Sequence, residues 1–499
     1  MKKNELLLGI DIGTSSIKVA LVDAVTRRCI TSASAPVTQE RAIIAPHPNW
    51  AEQAPQQWWN DVVAAVRSTV EKTKTPSDRI VAIGITYQMH GLVVTDKNQI
   101  PLRNAIIWCD SRTESQAKQA VKTIGAKQCR ERLLNFPGHF TASKLAWVKE
   151  NEPDLYARID KLLLPGDYIA LQLTGEITST IPMLSEGIFW DFKNKELSGD
   201  VLTSFGFPSS FFSDIRPVFA EHGRVTATAA KTLNIPEGIP VTYKAGDQPN
   251  NALSLNVLEP GEIAATAGTS GVIYAVTDKL ITDQMSRINT FAHVNHTHEK
   301  NRLGLLLCIN GAGISNRWIR DLIGKAHPYE HMNQQAAQIN IGADDLLFLP
   351  FGNGKERMLN GRQTGGVFSS VNLNRHRDAH CYRAVQEGIA MAFRYGVDIM
   401  RENGTDMNVI KAGKANMFLS DPFIEAFVNL TGLTLERYQT DGSIGAALGA
   451  GIGLGIYQNE RAAFANAAPP EVFQPHPQTQ EKYERIYIQW KKLLEQHLT

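Results

Sequence analysis

The pattern of apolar and polar positions predicts strands and helices that alternate along the chain. Short apolar runs bounded by polar residues are typical of buried strands, and apolar residues at a spacing of three or four are typical of helices that cover a sheet. The predicted strands include residues 6–8, 17–22, 79–86 and 409–412, and the predicted helices include residues 58–72, 141–151, 384–402, 420–431 and 481–496. This alternation predicts α/β architecture.

The turn between the first two predicted strands is rich in small hydroxyl residues. Residues 9–18 read GIDIGTSSIK, so Asp11, Gly13 and three hydroxyls lie between strand-forming runs. Glycine permits a tight turn and lets backbone N–H groups approach an anion closely, which favours phosphate binding. The common glycine-rich phosphate motifs do not fit, because a helix should follow them and a strand follows here. An ordinary hairpin capped by hydroxyls therefore stays open beside phosphate binding.

The same strand–turn–strand unit occurs again near the middle of the chain. Residues 262–278 read EIAATAGTSGVIYAVTD and align at a constant offset with residues 7–23. The aligned turn positions are Gly13 with Gly268, Thr14 with Thr269, and Ser15 with Ser270. A repeated unit predicts two similar domains, and two facing hairpins can hold a polyphosphate between them. We place the domains at residues 1–244 and 245–475, and we expect the helix in residues 476–499 to dock back on the first domain.

Composition and charge exclude several classes of function. The chain has 499 residues, of which 43% are apolar and 20% charged, and this is enough for two globular cores. A net charge of +1 without a Lys/Arg run gives no electrostatic surface for nucleic acid. No apolar stretch is long enough to span a bilayer, and Asp11 interrupts the apolar run that a signal peptide would need. Five scattered cysteines fit reduced thiols, so we expect a soluble cytoplasmic protein without a membrane or nucleic-acid partner.

Three histidines in the second half of the chain have a spacing that occurs in metal sites. His293, His296 and His298 form an HxxHxH pattern. Their neighbours are polar and no predicted strand or helix aims them together, so the sequence favours a solvated loop over a zinc site.

Five motifs stand in the same order as in the FGGY-type carbohydrate kinases, and the chain resembles that family from about residue 6 to residue 457. The motifs are DIGTS at residues 11–15, QMHG at 88–91, WCDSR at 108–112, AGD at 245–247 and GTSG at 268–271. The resemblance implies two actin-like, ribonuclease-H-like ATPase domains with the active-site cleft between them. It also implies ATP and Mg²⁺ as cofactors, a small-molecule sugar as substrate and a homodimer.

The resemblance also implies a particular activity. Within the family the motifs are most similar to those of the kinases that act on D-xylulose, which implies transfer of the γ-phosphoryl group of Mg-ATP to the 5-hydroxyl of that ketopentose. Another ketose or polyol, such as ribulose, sedoheptulose, gluconate or glycerol, is an alternative acceptor. A non-catalytic ATP- or sugar-binding sensor on the same scaffold is a further alternative.

The carboxylate of Asp247 is the candidate general base. It follows an apolar strand and a flexible Ala-Gly pair, and a carboxylate in that place can take the proton of an attacking hydroxyl. The alternative is an N-cap for a helix that starts near Asn250. By resemblance Asp247 matches the catalytic aspartate of the family and also contacts the sugar, so we expect it to be catalytic.

The two hairpins supply the expected metal and phosphate contacts. A carboxylate at the mouth of the first hairpin can hold Mg²⁺ directly or through water, which makes Asp11 the candidate metal ligand, while turn capping is its alternative role. The expected nucleotide-binding residues are Thr14, Ser15, Gly268, Thr269 and Ser270, with Gly413 and Asn416 added by resemblance. The run at residues 412–416 keeps only the second glycine of the glycine-rich run in the family.

The sugar-side residues are implied by resemblance. They are Gln88, Met89, His90, Trp108 and Asp110. A polar ring beside a methionine suits a sugar, because a sugar has both C–H and O–H faces. The segment at residues 178–183 departs from the family, and the sequence leaves open whether it shapes the sugar pocket or forms only a surface hairpin.

Overall fold

The computed structural model describes residues 5–37, 41–73, 77–323, 327–465 and 468–498. The chain forms two main sheets with helices packed against them, which confirms the predicted α/β architecture. The first sheet has five strands. They are β1 (Leu6–Ile12), β2 (Ile17–Asp23), β3 (Cys29–Ala35), β4 (Ile80–Tyr87) and β5 (Val241–Gly246). Their order is β5-β4-β1-β2-β3, in which β1 to β3 form an antiparallel meander and β4 and β5 run parallel to β1.

The second sheet has seven strands and repeats this topology. They are β6 (Ile263–Ala267), β7 (Gly271–Thr277), β8 (Asn289–Ala292), β9 (Leu303–Ile309), β10 (Val409–Gly413), β11 (Thr434–Tyr438) and β12 (Glu471–Phe473). The order β11-β10-β6-β7-β9 matches the first sheet in sequence and direction, and β8 and β12 extend its two edges. The prediction of two similar domains from the repeated hairpin is therefore confirmed. The last strand of the first sheet, β5, ends close to the predicted division between residues 244 and 245.

Helices cover both sheets. The longer ones are α1 (Pro55–Thr73), α2 (Glu114–Ile124), α3 (Thr141–Asn151), α4 (Pro165–Thr174), α5 (Ile181–Glu186), α6 (Gly199–Phe205), α7 (Ala227–Leu233), α8 (Asp247–Ser254), α9 (Ala312–Ile323), α10 (Tyr329–Ala337), α11 (Asp378–Glu402), α12 (Asp421–Thr431), α13 (Gly442–Gly453) and α14 (Pro477–Leu498). Short strand pairs join Glu52–Gln53 with Ala105–Ile106, Val93–Thr95 with Lys161–Leu163, Trp190–Asp191 with Glu196–Leu197, and Leu347–Phe351 with Gly365–Ser369. None of the helices in the described ranges has the length and apolar character needed to cross a membrane.

Helix α13 joins the two halves of the chain, because it follows the second sheet's β11 in sequence but packs on the first sheet. Glycines in the strands below let it approach the strand backbone. A Cβ atom at Gly9 would lie 1.9 Å from the Ser443 oxygen, and one at Gly84 would lie 1.9 Å from the Ala446 oxygen. No side chain fits between helix and sheet at these points, so the domains meet through a rigid backbone contact.

The last helix packs on the second domain, and the prediction that it docks on the first domain is wrong. The buried side chains of α14 are Tyr483, Tyr487, Trp490 and Leu494, and all four belong to the core of the second domain. The Trp490 indole N–H donates to the Phe348 carbonyl oxygen at 2.8 Å. The apolar stripe of α14 predicted that the helix is packed against the protein. It did not predict the surface that the helix covers, which is formed by α12 and the strand Leu347–Phe351.

Two of the three clustered histidines are buried, so the predicted solvated loop is wrong for them. His293 follows β8 into the core, where Nδ1 lies 3.0 Å from the Tyr274 hydroxyl and Nε2 lies 3.0 Å from the Val257 carbonyl oxygen. His296 is also buried, whereas His298 is exposed. Across the described ranges, no group of three or more His, Cys, Asp or Glu residues is arranged to hold a metal ion.

Candidate active site

The first hairpin, residues 13–16, is held by side chains that bind its carbonyl oxygens. The Arg41 guanidinium donates to the Gly13 oxygen at 3.0 Å, and the Gln53 amide donates to the Thr14 oxygen at 2.8 Å. The backbone N–H of Arg41 donates to the Ser15 oxygen at 2.7 Å. In the described part of the chain, the N–H groups of Thr14 and Ser15 donate no hydrogen bond, so they are available to an anion. Sequence reasoning missed Arg41, which stands in an irregular segment without a motif.

The second hairpin, residues 268–270, is held by main-chain groups. Helix α9 begins beside it, and the N–H groups of Gly313 and Ile314 donate to the Gly268 and Thr269 oxygens at 2.9 and 3.0 Å. A Cβ atom at Gly313 would lie 2.2 Å from the Gly268 oxygen, which explains the glycine there. The first turn of α9 therefore fixes this hairpin by close backbone contact.

A cavity of about 870 Å³ opens beside the second hairpin. It is lined by Gly268, Thr269 and Asn416 together with residues of α9 and α10, so three of the predicted nucleotide-binding residues meet at one cavity. Gly413 ends β10 near it without lining it. Sequence reasoning missed Asn316, which is 4% exposed, lines the cavity and has a side-chain oxygen that accepts no hydrogen bond from the described residues. A cavity of this size with unpaired polar groups suits a nucleotide.

Asp11 lies in a group of carboxylates at the end of β1. Burial raises its pKa to about 7, with contributions from Asp247 and Asp441, whereas Lys18 lowers it. Among the described residues, nothing donates a hydrogen bond to the Asp11 carboxylate, and the Lys18 ammonium is bound to Asp441 at 2.5 Å. A buried carboxylate without a donor fits a hard cation such as Mg²⁺, which keeps waters and phosphate oxygens as its other ligands. The residues present therefore fit the predicted metal.

Asp247 is the first residue of α8, directly after β5. The N-cap position belongs to Gly246, so capping does not account for the Asp247 carboxylate. Burial raises the pKa of Asp247 to about 7, while hydrogen bonds from Gln248 act in the other direction. A carboxylate whose pKa lies near neutrality is suited to accept a proton in the reaction.

Met89 packs against the backbone next to Asp247, and His90 follows it in the chain. A Cβ atom at Gly246 would lie 2.6 Å from the Met89 Cγ, so the backbone before Asp247 rests on this side chain. The His90 ring packs against Phe140 at 4.9 Å and against Phe291 at 5.2 Å between ring centroids. Phe291 belongs to β8 of the second sheet, so residues of both domains enclose the predicted sugar-binding pair.

Gln88 and Trp108 connect the predicted sugar side to the first hairpin. The Thr14 hydroxyl donates to the Gln88 side-chain oxygen at 3.1 Å, and the Trp108 indole N–H donates to the Thr14 hydroxyl at 2.9 Å. The Gln88 amide also donates to Gln53 at 3.0 Å and is buried. These two residues hold Thr14 in place, and the half-exposed Trp108 ring remains open to a ligand.

Asp110, another predicted sugar contact, is held in a buried ion pair. Its carboxylate is 1% exposed and accepts hydrogen bonds from the Ala51 N–H at 2.6 Å and from the Arg112 guanidinium at 2.7 Å. Both oxygens are occupied. The ion pair gives Asp110 a structural role, and its contact with the sugar stays a prediction.

Sequence reasoning missed Glu186 and Lys144, which both contact His90. The Glu186 carboxylate accepts the His90 backbone N–H at 2.8 Å and the Tyr87 hydroxyl at 2.6 Å. The Lys144 ammonium, fully buried, donates to the His90 carbonyl oxygen at 2.6 Å. Glu186 ends α5, which Thr180 caps by accepting the Met183 N–H, so the departing segment at residues 178–183 is buried and carries Glu186 to the site.

A basic side chain of the second domain also reaches the sugar side. The Arg357 guanidinium lies 5.7 Å from the Phe140 ring centroid and contacts Ser286 at 3.5 Å. It forms no ion pair with a carboxylate in the part of the chain that is described. Sequence reasoning missed it, because no motif marks it.

The two domains share one topology, and each has a hydroxyl-rich hairpin. A nucleotide-sized cavity lies beside one hairpin, and a group of carboxylates lies beside the other. These features define a two-domain phosphotransferase. The models of the N-terminal and C-terminal domains of the FGGY family of carbohydrate kinases match residues 6–254 and 263–454. The chain therefore belongs to the FGGY family of carbohydrate kinases. It is an enzyme with the two-domain actin-like ATPase fold, as predicted, and the family implies ATP and a small-molecule sugar as its substrates.

Known proteins of the family match the chain over nearly its full length. The xylulose kinase of Staphylococcus epidermidis is 30% identical over 503 residues, which cover 99% of this chain and 97% of that protein. The crystal structure of xylulose kinase from Rhodospirillum rubrum is 25% identical, with a TM-score of 0.84 and coverage of 99% of both chains. The structure of gluconate kinase from Lactobacillus acidophilus, 20% identical with a TM-score of 0.87 over 99% of both chains, shares the fold.

Proposed function

We propose that the protein is an ATP-dependent kinase that transfers the γ-phosphoryl group of Mg-ATP to the 5-hydroxyl of D-xylulose, giving D-xylulose 5-phosphate, with Asp247 as the general base. The observation that supports the proposal is the close approach of Met89 to Gly246, the residue before the proposed base. The xylulose kinases among the relatives support the choice of sugar.

The arrangement suits in-line phosphoryl transfer. ATP occupies the cavity beside the second hairpin, with Gly268, Thr269 and Asn416 as contacts. The sugar occupies the pocket of Met89 and His90, and Asp247 takes the proton of the attacking hydroxyl. Phosphoryl transfer needs mainly positioning and charge stabilisation, which the free N–H groups of the first hairpin provide.

Asp11 would hold Mg²⁺ directly or through water, and bound Mg²⁺ would neutralise charge on the transferring phosphate. Closure of the two domains over the substrates keeps water away from the phosphoryl group. Ser15, Ser270 and Gly413 stay as proposed nucleotide contacts, and Trp108 as a proposed sugar contact. The domain boundaries, a homodimer and a cytoplasmic location also stay predictions.

Another acceptor is the main alternative, because gluconate kinase shares the fold at a similar TM-score. Ribulose, sedoheptulose and glycerol belong to the same alternative. A non-catalytic sensor has no use for a general base beside the sugar pocket, and Asp247 argues against it.

The test is ADP release by the purified protein with Mg-ATP against a panel of ketoses, polyols and sugar acids. Turnover of D-xylulose well above the other sugars is the expected result. Preferred turnover of another sugar would overturn the choice of acceptor and leave the roles of Asp11 and Asp247 in place. No turnover of any sugar, with ATP still bound, would overturn the kinase proposal.

A further inference from the structure

We propose that Glu186 is a positioning residue whose carboxylate holds the His90 backbone and whose main-chain oxygen holds the ring as the Nδ1–H tautomer, so that the His90 Nε2 accepts a hydrogen bond from a hydroxyl of the sugar. The inference rests on the proposed sugar-kinase function, since it assigns a role to His90 in the acceptor pocket. It deepens that function by stating which chemical group of the substrate faces His90.

The tautomer follows from what surrounds the ring. The His90 Nδ1 lies 3.0 Å from the Glu186 main-chain oxygen and 3.6 Å from the Glu186 Oε2. A carbonyl oxygen can only accept a hydrogen bond, so the proton must sit on Nδ1. Nε2 makes no hydrogen bond with any described residue. It therefore presents a lone pair, because burial lowers the pKa of His90 to about 3, with the charge of Lys144 adding to that effect, and the ring stays neutral.

His90 is held at its backbone as well as at its ring. The Glu186 Oε2 accepts its N–H at 2.8 Å, and the Lys144 ammonium donates to its carbonyl oxygen at 2.6 Å. These contacts stabilise a φ of +62°, which a residue other than glycine seldom adopts. The ring lies against Phe140 and Phe291, which pack on it from the two domains.

The free Nε2 selects the substrate group that lies against it. A lone pair in a buried site binds an O–H donor and repels a carbonyl or carboxylate oxygen, which has only acceptors. The group that faces His90 is therefore a hydroxyl. A keto oxygen or the carboxylate of a sugar acid does not take this place.

The kinetic test distinguishes a role of Glu186 in positioning His90 from a general effect on the stability of the protein. In Glu186→Ala the N–H of His90 loses its acceptor, and we expect the KM for the sugar to rise about tenfold with the KM for ATP unchanged. Glu186→Gln keeps an acceptor for that N–H and should return the KM to within about twofold of the parent. The matched control is Tyr87→Phe, which removes the other hydrogen bond of the same carboxylate and leaves the contacts of His90 intact. An unchanged sugar KM in Glu186→Ala, or an equal effect of Tyr87→Phe, would overturn the inference.

The tautomer can be measured without turnover. In ¹⁵N-histidine-labelled protein, with His90 assigned by its loss in His90→Gln, we expect a protonated Nδ1 and an unprotonated Nε2, also in Glu186→Ala, because the main-chain oxygen that accepts the Nδ1 proton remains there. A protonated Nε2 in the parent protein would overturn the inference. If no sugar of the panel is phosphorylated, the proposed function fails, and the NMR result still decides the state of His90.

Discussion

The two hairpins are copies of one sequence unit, but only the first has a carboxylate next to it, and different groups hold the two turns. The first follows a strand that carries Asp11, and the matching position before the second is the neutral Thr266. Side chains, chiefly Arg41 and Gln53, bind the carbonyl oxygens of the first hairpin. Main-chain N–H groups at the start of α9 bind those of the second. The same turn thus follows a strand with a carboxylate in one domain and a strand with a neutral threonine at the matching position in the other.

This difference divides the chemistry between the domains. A carboxylate beside the first hairpin repels phosphate unless a cation lies between them, so we expect the predicted metal to bind on the side of the first domain. The second hairpin offers only neutral donors beside a large cavity, which suits the nucleotide. A side chain that holds the first hairpin can be removed by one substitution. The main-chain contacts of the second hairpin are instead disturbed by adding a methyl group at Gly313, where the two backbones meet.

The largest expected effect is at Asp247, the proposed general base. Asp247→Asn keeps the shape of the side chain and removes the proton acceptor, so we expect ADP release to fall at least a hundredfold. ATP binding, measured by calorimetry, should be unchanged. Retention of more than a tenth of the parent activity would rule out Asp247 as the general base.

The next effect tests the charge difference directly. In Asp11→Asn we expect ADP release to fall by about a hundredfold and to need more Mg²⁺ for half-saturation, because the metal loses a charged ligand. The matched control is Thr266→Val at the equivalent position of the second domain, where we expect the Mg²⁺ dependence to be unchanged. Equal shifts in the Mg²⁺ titration of the two variants would show that the hairpins do not differ in this way.

A smaller effect tests the main-chain contact of the second hairpin. The methyl group of Gly313→Ala would lie 2.2 Å from the Gly268 oxygen, so the hairpin must shift. We expect the KM for ATP to rise about tenfold, the KM for the sugar to stay the same, and stability to fall by about 1–3 kcal/mol. Gly199→Ala is the control, since a methyl group there meets nothing within 4 Å. An unchanged KM for ATP in Gly313→Ala would contradict the role given to the first turn of α9.

The sequence was sufficient to predict the two hairpins, because each is a continuous stretch of chain between two strands. It could also propose Asp11, Asp247 and the pair Met89–His90, because they lie in short motifs. Glu186 could not be found this way, because it lies 96 residues from His90 in the chain and meets it only in the folded protein. Lys144 was inside a stretch that resembles the family, yet nothing local showed that its ammonium would reach His90.

The wrong prediction for the last helix has a related physical cause. The stripe of apolar residues in α14 predicted packing but not the partner surface, since many surfaces of a two-domain protein can receive such a helix. The family motif pointed to Asp110, but the ion pair of Asp110 with Arg112 could not be predicted, because that contact depends on side-chain orientation.

The smallest expected effect concerns a single side-chain contact of the first hairpin. Trp108→Phe keeps an aromatic ring and removes the indole N–H that donates to the Thr14 hydroxyl at 2.9 Å. A neutral hydrogen bond of this kind is worth about 1 kcal/mol, so we expect kcat/KM for the sugar to fall about threefold to fivefold. The control is Trp318→Phe in the second domain, whose indole N–H makes no hydrogen bond with the residues the structure describes and which should leave kcat/KM unchanged. If both variants behave alike, Trp108 does not help to hold the first hairpin, and the contrast between side-chain and main-chain contacts would rest on Arg41 and Gln53 alone.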